Sequence, residues 1–492
     1  MRPVRSRADL AVASGAFGLF ALASIAGVLL WLAGRPVHAS TAPLFAHWRP
    51  HLGPGTVPAL VIAVLVCRYG FELSRRLSWR KLCLLAYATA AAWITALALV
   101  DGWQRGLAGR LTTKWEYLHE VPGVTDVAAM LRGFTGRILD FQPDSWTTHV
   151  SGHPPGALLV FLALDRIGLS GGGWAGVLCI LAGAATAVAV PHTVRLLGTE
   201  DAARAVVPFL VLFPGAVWIG VSADGLFAGV TATGLALLAA GVRRRSPLRL
   251  VGAGLLLGAG CYLSYGLVLI APIALAVVWL GRARLRDMAW VTAGAVVVVA
   301  AFTLAGFNWL TGYHLVVERY YQGVAADRAY AYWIWANLAI VLAVSAGPAA
   351  TVILRRAVVL LRTPADLLRS PAGPPSSSAR PLRSPAGLFR SPARVLPADL
   401  PDHAGLREHA GLREHAGLRE HAGPLLTLAA AAAIVAADLS GYSKAEVERI
   451  WLPFVVWLPA AAALLPVDRR RTWLIAQATV ALLANHLLLT GW

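Results

Sequence analysis

"HVSGHPPGALLVFLALDRIGL", residues 149 to 169, decides how many times this chain crosses a membrane. Its apolar part, Gly156 to Leu169, is 14 residues long. A bilayer core takes roughly 17–25 apolar residues in a helix, and shorter runs suit re-entrant or interfacial segments. We therefore expect 156–169 to dip into or lie on the membrane without crossing it. The entry to the run is stiff. Pro154 fixes its own φ, Pro155 holds residue 154 extended, and a proline in the first turn of a helix costs little. That fixes His149 and His153 at the membrane boundary; two histidines facing water at a structural helix start would fit the same residues.

Outward from this stretch the chain is apolar. Of 492 residues, 58% are hydrophobic and 14% charged, against about 25% charged in a soluble domain. Spans are expected at roughly 10–33, 57–72, 81–100, 174–191, 206–221, 225–241, 248–263, 266–281, 288–307, 334–354, 424–440, 451–467 and 473–490, about thirteen in an all-α polytopic membrane protein. The first run lacks a small-residue cleavage site and reads as a retained helix. With the N-terminus inside and 156–169 not crossing, the dense basic clusters all fall inside. These are Arg75 to Lys81, Arg195 and Arg204, Arg243 to Arg249, Arg282 to Arg286, the tract from Arg355, and Arg469 to Arg471. The net charge of +18 thus follows the positive-inside bias and calls for no nucleic-acid partner. The C-terminus then lies outside. The four cysteines have neither metal spacing nor a disulfide pattern.

The organisation reads as three parts: an N-terminal membrane domain, 1–354, with a large outside loop at 101–173; a cytoplasmic linker, 355–423; and C-terminal membrane helices, 424–492. The linker repeats RSPAG-like units and then HAGLRE three times, and such Pro, Ser, Gly and Arg content is too poor in apolar residues to form a core. Its histidines could take a metal, but a duplicated low-complexity insert is the plainer account.

Chemistry is expected outside. The loop segment VTDVAAMLRGFTGRIL places Val124, Val127, Met130, Leu131 and Phe134 at helical spacing, so the loop should be folded, with this helix along the membrane surface. Asp224 stands between two apolar runs with no charge beside it, either lining a cavity or capping an interfacial turn. "ERYYQGVAADRAYAYWIWAN", 318–337, mixes Arg319 and Arg328 with aromatics; it fits a substrate-gripping loop or an interfacial aromatic belt equally well. Arg449 opens a late span, where an arginine fork could hold a phosphate or snorkel to the interface.

"GHPPGALL" and, some 300 residues later, "GYSKAEVERIWLPFVVWLPAAAALLP" together resemble the GT-C superfamily of membrane glycosyltransferases. The likeness is to the protein O-mannosyltransferase and aminoarabinose transferase group, in an actinobacterial-type form. Those families have an acidic motif in the first large outside loop, then HPPL or KPPL entering an apolar helix, and a late Arg-aromatic-x-x-Pro segment. Here Gly156 replaces the usual Leu, and the familiar Asp-Glu or Asp-x-Asp pair is absent. The resemblance implies transfer of a hexose or pentose from a polyprenyl-phosphate donor to a glycan, lipid or protein acceptor of the cell envelope. Transfer would take place on the extracytoplasmic side of the cell membrane and invert the anomeric centre. It also implies a carboxylate base. Glu116, flanked by Trp115 and Tyr117, is the first choice, and Asp126 the second, with Asp101 also in the loop. His149, His153, Asp224, Arg319, Arg328 and Arg449 would contact substrate. No metal ligand is assigned, and a divalent cation is left open as cofactor. No GxSxG, zinc motif or Walker loop competes. A transporter or lipid flippase is the alternative; it would be expected to show matched broken helices in repeated halves.

Overall fold

The computed structural model describes residues 6–361 and 419–491. It is almost entirely helical, as lipid demands: with no water to meet the backbone, each apolar run satisfies its own N–H and C=O groups within a helix. Among the described residues, seven helices are long and apolar enough to cross a membrane: Arg7–Leu32, Thr56–Arg76, Trp79–Asp101, Gly172–Leu197, Ala223–Arg244, Leu285–Leu304 and Ala422–Leu439.

The remaining expected spans are broken or short. The run at 206–221 divides into Glu200–Val211, which carries Pro208 within it, and Ala216–Ile219, across a break that holds Pro214. The run at 334–354 divides into Tyr330–Ser345 and Gly347–Leu361, bent by 111°. Its hinge is Gly347 at φ +79°, a left-handed conformation that glycine takes without Cβ strain. The run at 451–467 carries Pro453 and Pro459 and becomes Leu452–Val455 plus the 3-10 turn Leu458–Leu464. Pro247–Leu263 and Tyr265–Gly281 are apolar but short, and Val467–Leu487 carries Asp468 and three arginines, 469–471, in its first five residues. Counting the bent pair as one span gives eight candidate crossings, against the thirteen expected.

Gly156–Arg166 has eleven residues. At 1.5 Å per residue it reaches about 16 Å, half of a bilayer core of about 30 Å. The expected boundary at 354/355 falls inside a helix, since Gly347–Leu361 runs through it. Residues 362–418 of the expected linker lie outside the described residues. The segments on either side of that tract pack as one unit, because a single buried cluster contains Leu97, Phe209, Ala350, Trp457 and Leu474. Gln477 donates to the Phe209 and Leu212 carbonyls at 2.6 and 2.9 Å.

The 101–155 segment is a string of short helical turns. Its expected amphipathic helix forms as Val127–Gly133 followed by a 3-10 turn, Phe134–Arg137. Instead of meeting lipid, its apolar side faces protein: Met130, Leu131, Phe134 and Ile138 join the main core. A two-stranded antiparallel pairing of Ala46–Trp48 with Leu488–Thr490 closes the same end of the molecule. Arg110 locks it, donating to the Thr490 carbonyl at 3.1 Å and to Asp101 at 2.6 Å. His51 holds the other oxygen of Asp101 at 2.7 Å.

Candidate functional site

Three distant pieces of chain meet at this end: the turns after Thr113, the first turn of Ala223–Arg244, and the short helix Val447–Ile450. Glu116 precedes the 3-10 turn Tyr117–His119. The His149 amide donates to the Trp115 carbonyl at 3.0 Å, which clamps the Glu116 turn against the helix Thr148–Ser151. The side chains then meet. His149 Nδ1 lies 2.8 Å from Glu116 Oε1. On its far side, His149 Nε2 lies 3.4 Å from an Arg449 terminal nitrogen, across 300 residues of sequence. Since the guanidinium can only donate, the contact favours the tautomer with its proton on Nδ1, directed at Glu116.

Arg449 donates to Asp224 Oδ2 at 2.7 Å and to Glu446 Oε2 at 3.0 Å. Arg328 approaches the other Glu446 oxygen at 3.2 Å and donates to the Lys444 carbonyl at 2.7 Å. Glu116, His149, Asp224, Arg328 and Arg449 are buried, each no more than 9% exposed, and Glu446 is partly buried.

Burial pushes the Glu116 carboxyl up, but the His149 imidazole that it pairs with and the Arg449 guanidinium hold it below its ordinary range, so it is ionised at neutral pH. Glu446 is partly buried; desolvation pushes it up, but Arg449 and Arg328 hold it low. Arg449 is pushed down by burial, yet Asp224 and Glu446 more than compensate and raise it. His153 is pushed down to about 4 by burial and stays neutral. Its Nδ1 sits 2.9 Å from the Tyr117 hydroxyl and 2.8 Å from the His149 carbonyl. Tyr117 packs between His149 and Phe161, with ring centroids 6.1 and 5.3 Å away.

Six of the eight residues singled out from sequence thus fall in or against one cluster: Glu116, His149, His153, Asp224, Arg328 and Arg449. The other two do not. Asp126 is exposed and caps Val127–Gly133, accepting from the Ala128 and Ala129 amides at 2.8 and 3.1 Å. Its carboxylate is held low by those amides, the ordinary behaviour of a helix N-cap. Arg319 pairs with Asp140 at 2.6 Å. Arg449 also departs from expectation. It was expected to face a lipid phosphate, and it faces protein carboxylates.

Sequence reasoning missed Glu446, which bridges the two arginines. Glu446 stands in "SKAEVER", residues 443–449, three positions before Arg449. Ala445 and Glu446 both have left-handed backbones, at φ 74° and 62°. Two consecutive non-glycine residues in that region cost roughly 1–2 kcal/mol each, and such strain gathers at functional sites. Glu448, also missed, is fully buried with Oε1 accepting from the Phe45 amide at 3.3 Å; burial pushes it up to about 7. Among the described residues, no three His, Cys, Asp or Glu side chains group to hold a metal.

Gly156, the departure from the HPPL pattern, has a local cause. A Cβ there would lie 2.4 Å from the Tyr262 carbonyl oxygen. The helix entry presses directly on the end of Pro247–Leu263, and only glycine fits.

No family model matches this chain, and no curated protein matches it in sequence. Among solved structures it is similar to the crystal structure of the Archaeoglobus fulgidus oligosaccharyltransferase in the apo form, with 16% identity and a TM-score of 0.43. The likeness covers 83% of this chain and 56% of that one, so the chain spans little more than half of that protein's length. The architecture and the buried cluster define an all-α, membrane-type protein with a charged site at the end away from most of its arginines.

Proposed function

We propose that this chain is a membrane glycosyltransferase that moves a sugar from a polyprenyl-phosphate donor to an extracytoplasmic acceptor, with inversion. The observation that carries the reading is the convergence of Glu116, His149, Asp224 and Arg449 into one buried network. Those four residues come from the outside loop, the HPPG entry, an isolated acid and the late Arg-aromatic segment, the features on which the GT-C resemblance rests.

The electrostatics suit such a reaction. The imidazole aside, three carboxylates face two guanidinium groups, an excess of one negative charge. That charge favours a proton arriving on the Glu116–His149 pair, and a cationic sugar in the transition state. In this mechanism the acceptor hydroxyl attacks the anomeric carbon, the bond to the donor phosphate breaks, and the phosphate leaves with the bonding electrons. The hydroxyl proton passes to the pair, in which Glu116 orients His149 as a carboxylate orients an imidazole in a catalytic triad. A donor phosphate reaching Arg449 has to displace one of its carboxylates. Glu446 is the candidate, because it is shared with Arg328 and stands on the strained turn.

The test is incubation of membranes carrying the protein with a panel of labelled polyprenyl-phosphate sugars. Label passing to an endogenous acceptor supports the reading. Transport or lipid flipping is the second reading, favoured by the sharply bent pair at Gly347; it predicts label that changes sides without changing its chemical partner.

A further inference from the structure

The opposite, arginine-rich end of the bundle holds a groove separate from the Glu116–Arg449 network. Its volume is about 470 Å³, and it is walled by parts of Trp79–Ala98, Thr186–Leu197 and Ala223–Arg244, with Arg249 at its edge. Along Ala223–Arg244 its lining runs from Thr233 to Arg244. That is about 16 Å of helix, the depth of one leaflet of a bilayer core of about 30 Å. The wall between is alanine, valine and leucine, with Cys83 and Tyr87 on the facing helix.

The mouth is cationic. Arg244 is exposed and Arg249 half-buried. Among the described residues, neither makes an ion pair or hydrogen bond. His192 lies beside them, its Nδ1 accepting from Trp79 Nε1 at 3.3 Å. Arg195 and Arg204 nearby, by contrast, both pair with Glu200. Here two forks open onto an apolar channel with no acid to meet them.

We propose that this groove binds one anionic phospholipid, with an acyl chain in the channel and its phosphate held between Arg244 and Arg249. Arginine forks match phosphate oxygens two at a time. A zwitterionic lipid brings its own cation to the same mouth and gains less. The positive-inside rule puts this end at the cytoplasmic leaflet, so the ligand is a lipid of that leaflet. The chain's own tract 362–418 is a poor occupant, since it carries eight arginines against five acidic residues and would add like charge at the mouth. The site does not depend on the glycosyltransferase reading.

Cys83 supplies a native reporter, because it lines the groove and is partly exposed. The experiment is timed N-ethylmaleimide labelling of the full-length protein in neutral detergent, read at each cysteine by peptide mass spectrometry, with Cys67 and Cys261 as references outside the groove. Phosphatidylglycerol, phosphatidylcholine and inorganic phosphate are titrated in turn. Phosphatidylglycerol is expected to protect Cys83 at about tenfold lower concentration than phosphatidylcholine, the size of one charge-assisted hydrogen bond. Arg244→Gln/Arg249→Gln should lose that advantage while melting as the wild type does without lipid. Should the double variant fold poorly, Arg244→Gln alone, at an exposed position, must still weaken protection. Equal protection by both lipids, an unchanged advantage in the variants, or protection by inorganic phosphate alone would overturn the proposal.

Discussion

Glu116 and Asp126 show what neighbours do to a carboxylate. Both are held low, but one Asp126 oxygen accepts from two backbone amides in water, whereas one Glu116 oxygen meets a buried imidazole. Asp126→Ala should therefore cost about 1 kcal/mol in thermal unfolding, the ordinary loss of a cap, and leave turnover intact. Glu116→Gln should remove transfer by about 10²–10⁴-fold while the protein still folds, because the amide oxygen can still accept from His149. Arg449→Ala is a different kind of change. It strands Asp224 and Glu446 without their cation, and breaking a buried pair costs about 3–5 kcal/mol, so its first symptom should be lost expression or a fallen melting temperature. Glu446→Gln is the cleaner probe of donor binding. If Glu446 competes with phosphate for Arg449, this variant should show a lower donor KM; a raised KM would mean that Glu446 helps hold the donor. Glu448 gives a pH signature. Its folded value near 7 exceeds the ordinary 4.5, so the folded state keeps a proton that the unfolded chain releases. Its contribution to stability therefore declines as pH rises from about 4.5 to 7 and stays low above that. Glu448→Gln should raise the melting temperature at pH 8 and change it little at pH 5.

The short helix Gly156–Arg166 shows which elements a sequence can and cannot disclose. Its short length and its stiff proline entry were legible, because they depend on local residue types. The glycine was not, because its cause is a carbonyl of Tyr262, 106 residues away in sequence. Gly156→Leu, which restores the commoner HPPL pattern, should destabilise the protein by about 1–3 kcal/mol, the range for forced overpacking, and move His153 out of register with Tyr117. A denaturant or thermal melt checks the first, and loss of transfer the second. The broken helices teach the same lesson. Hydropathy alone counted 206–221, 334–354 and 451–467 as spans. The prolines that divide the first and third were in plain view, but whether a proline kinks a helix or ends it is decided by its packing neighbours. The bend at Gly347 required a left-handed backbone that no periodicity reports.

For the whole molecule, the sequence separated the two ends well. The basic clusters gather at one end of Ala223–Arg244, and the acid–histidine–arginine network at the other, about 30 Å away along the helix. What could not be read was the pairing. Arg449 and Asp224 were chosen separately, as a phosphate ligand and a cavity acid, and they hold each other. Glu446 escaped notice because an acid three residues before an arginine looks like an ordinary solvent-facing pair until its second partner, Arg328, is known. The account therefore turns on whether this closed network is a site for chemistry or only an internal strut. The most direct measurement compares wild type and Glu116→Gln, reconstituted at equal amounts and with equal melting temperatures, for transfer of label from a polyprenyl-phosphate sugar. The account predicts transfer by the wild type and a loss of at least about 10²-fold in the variant. Equal transfer by both, or transfer by neither from any donor in the panel, would contradict it.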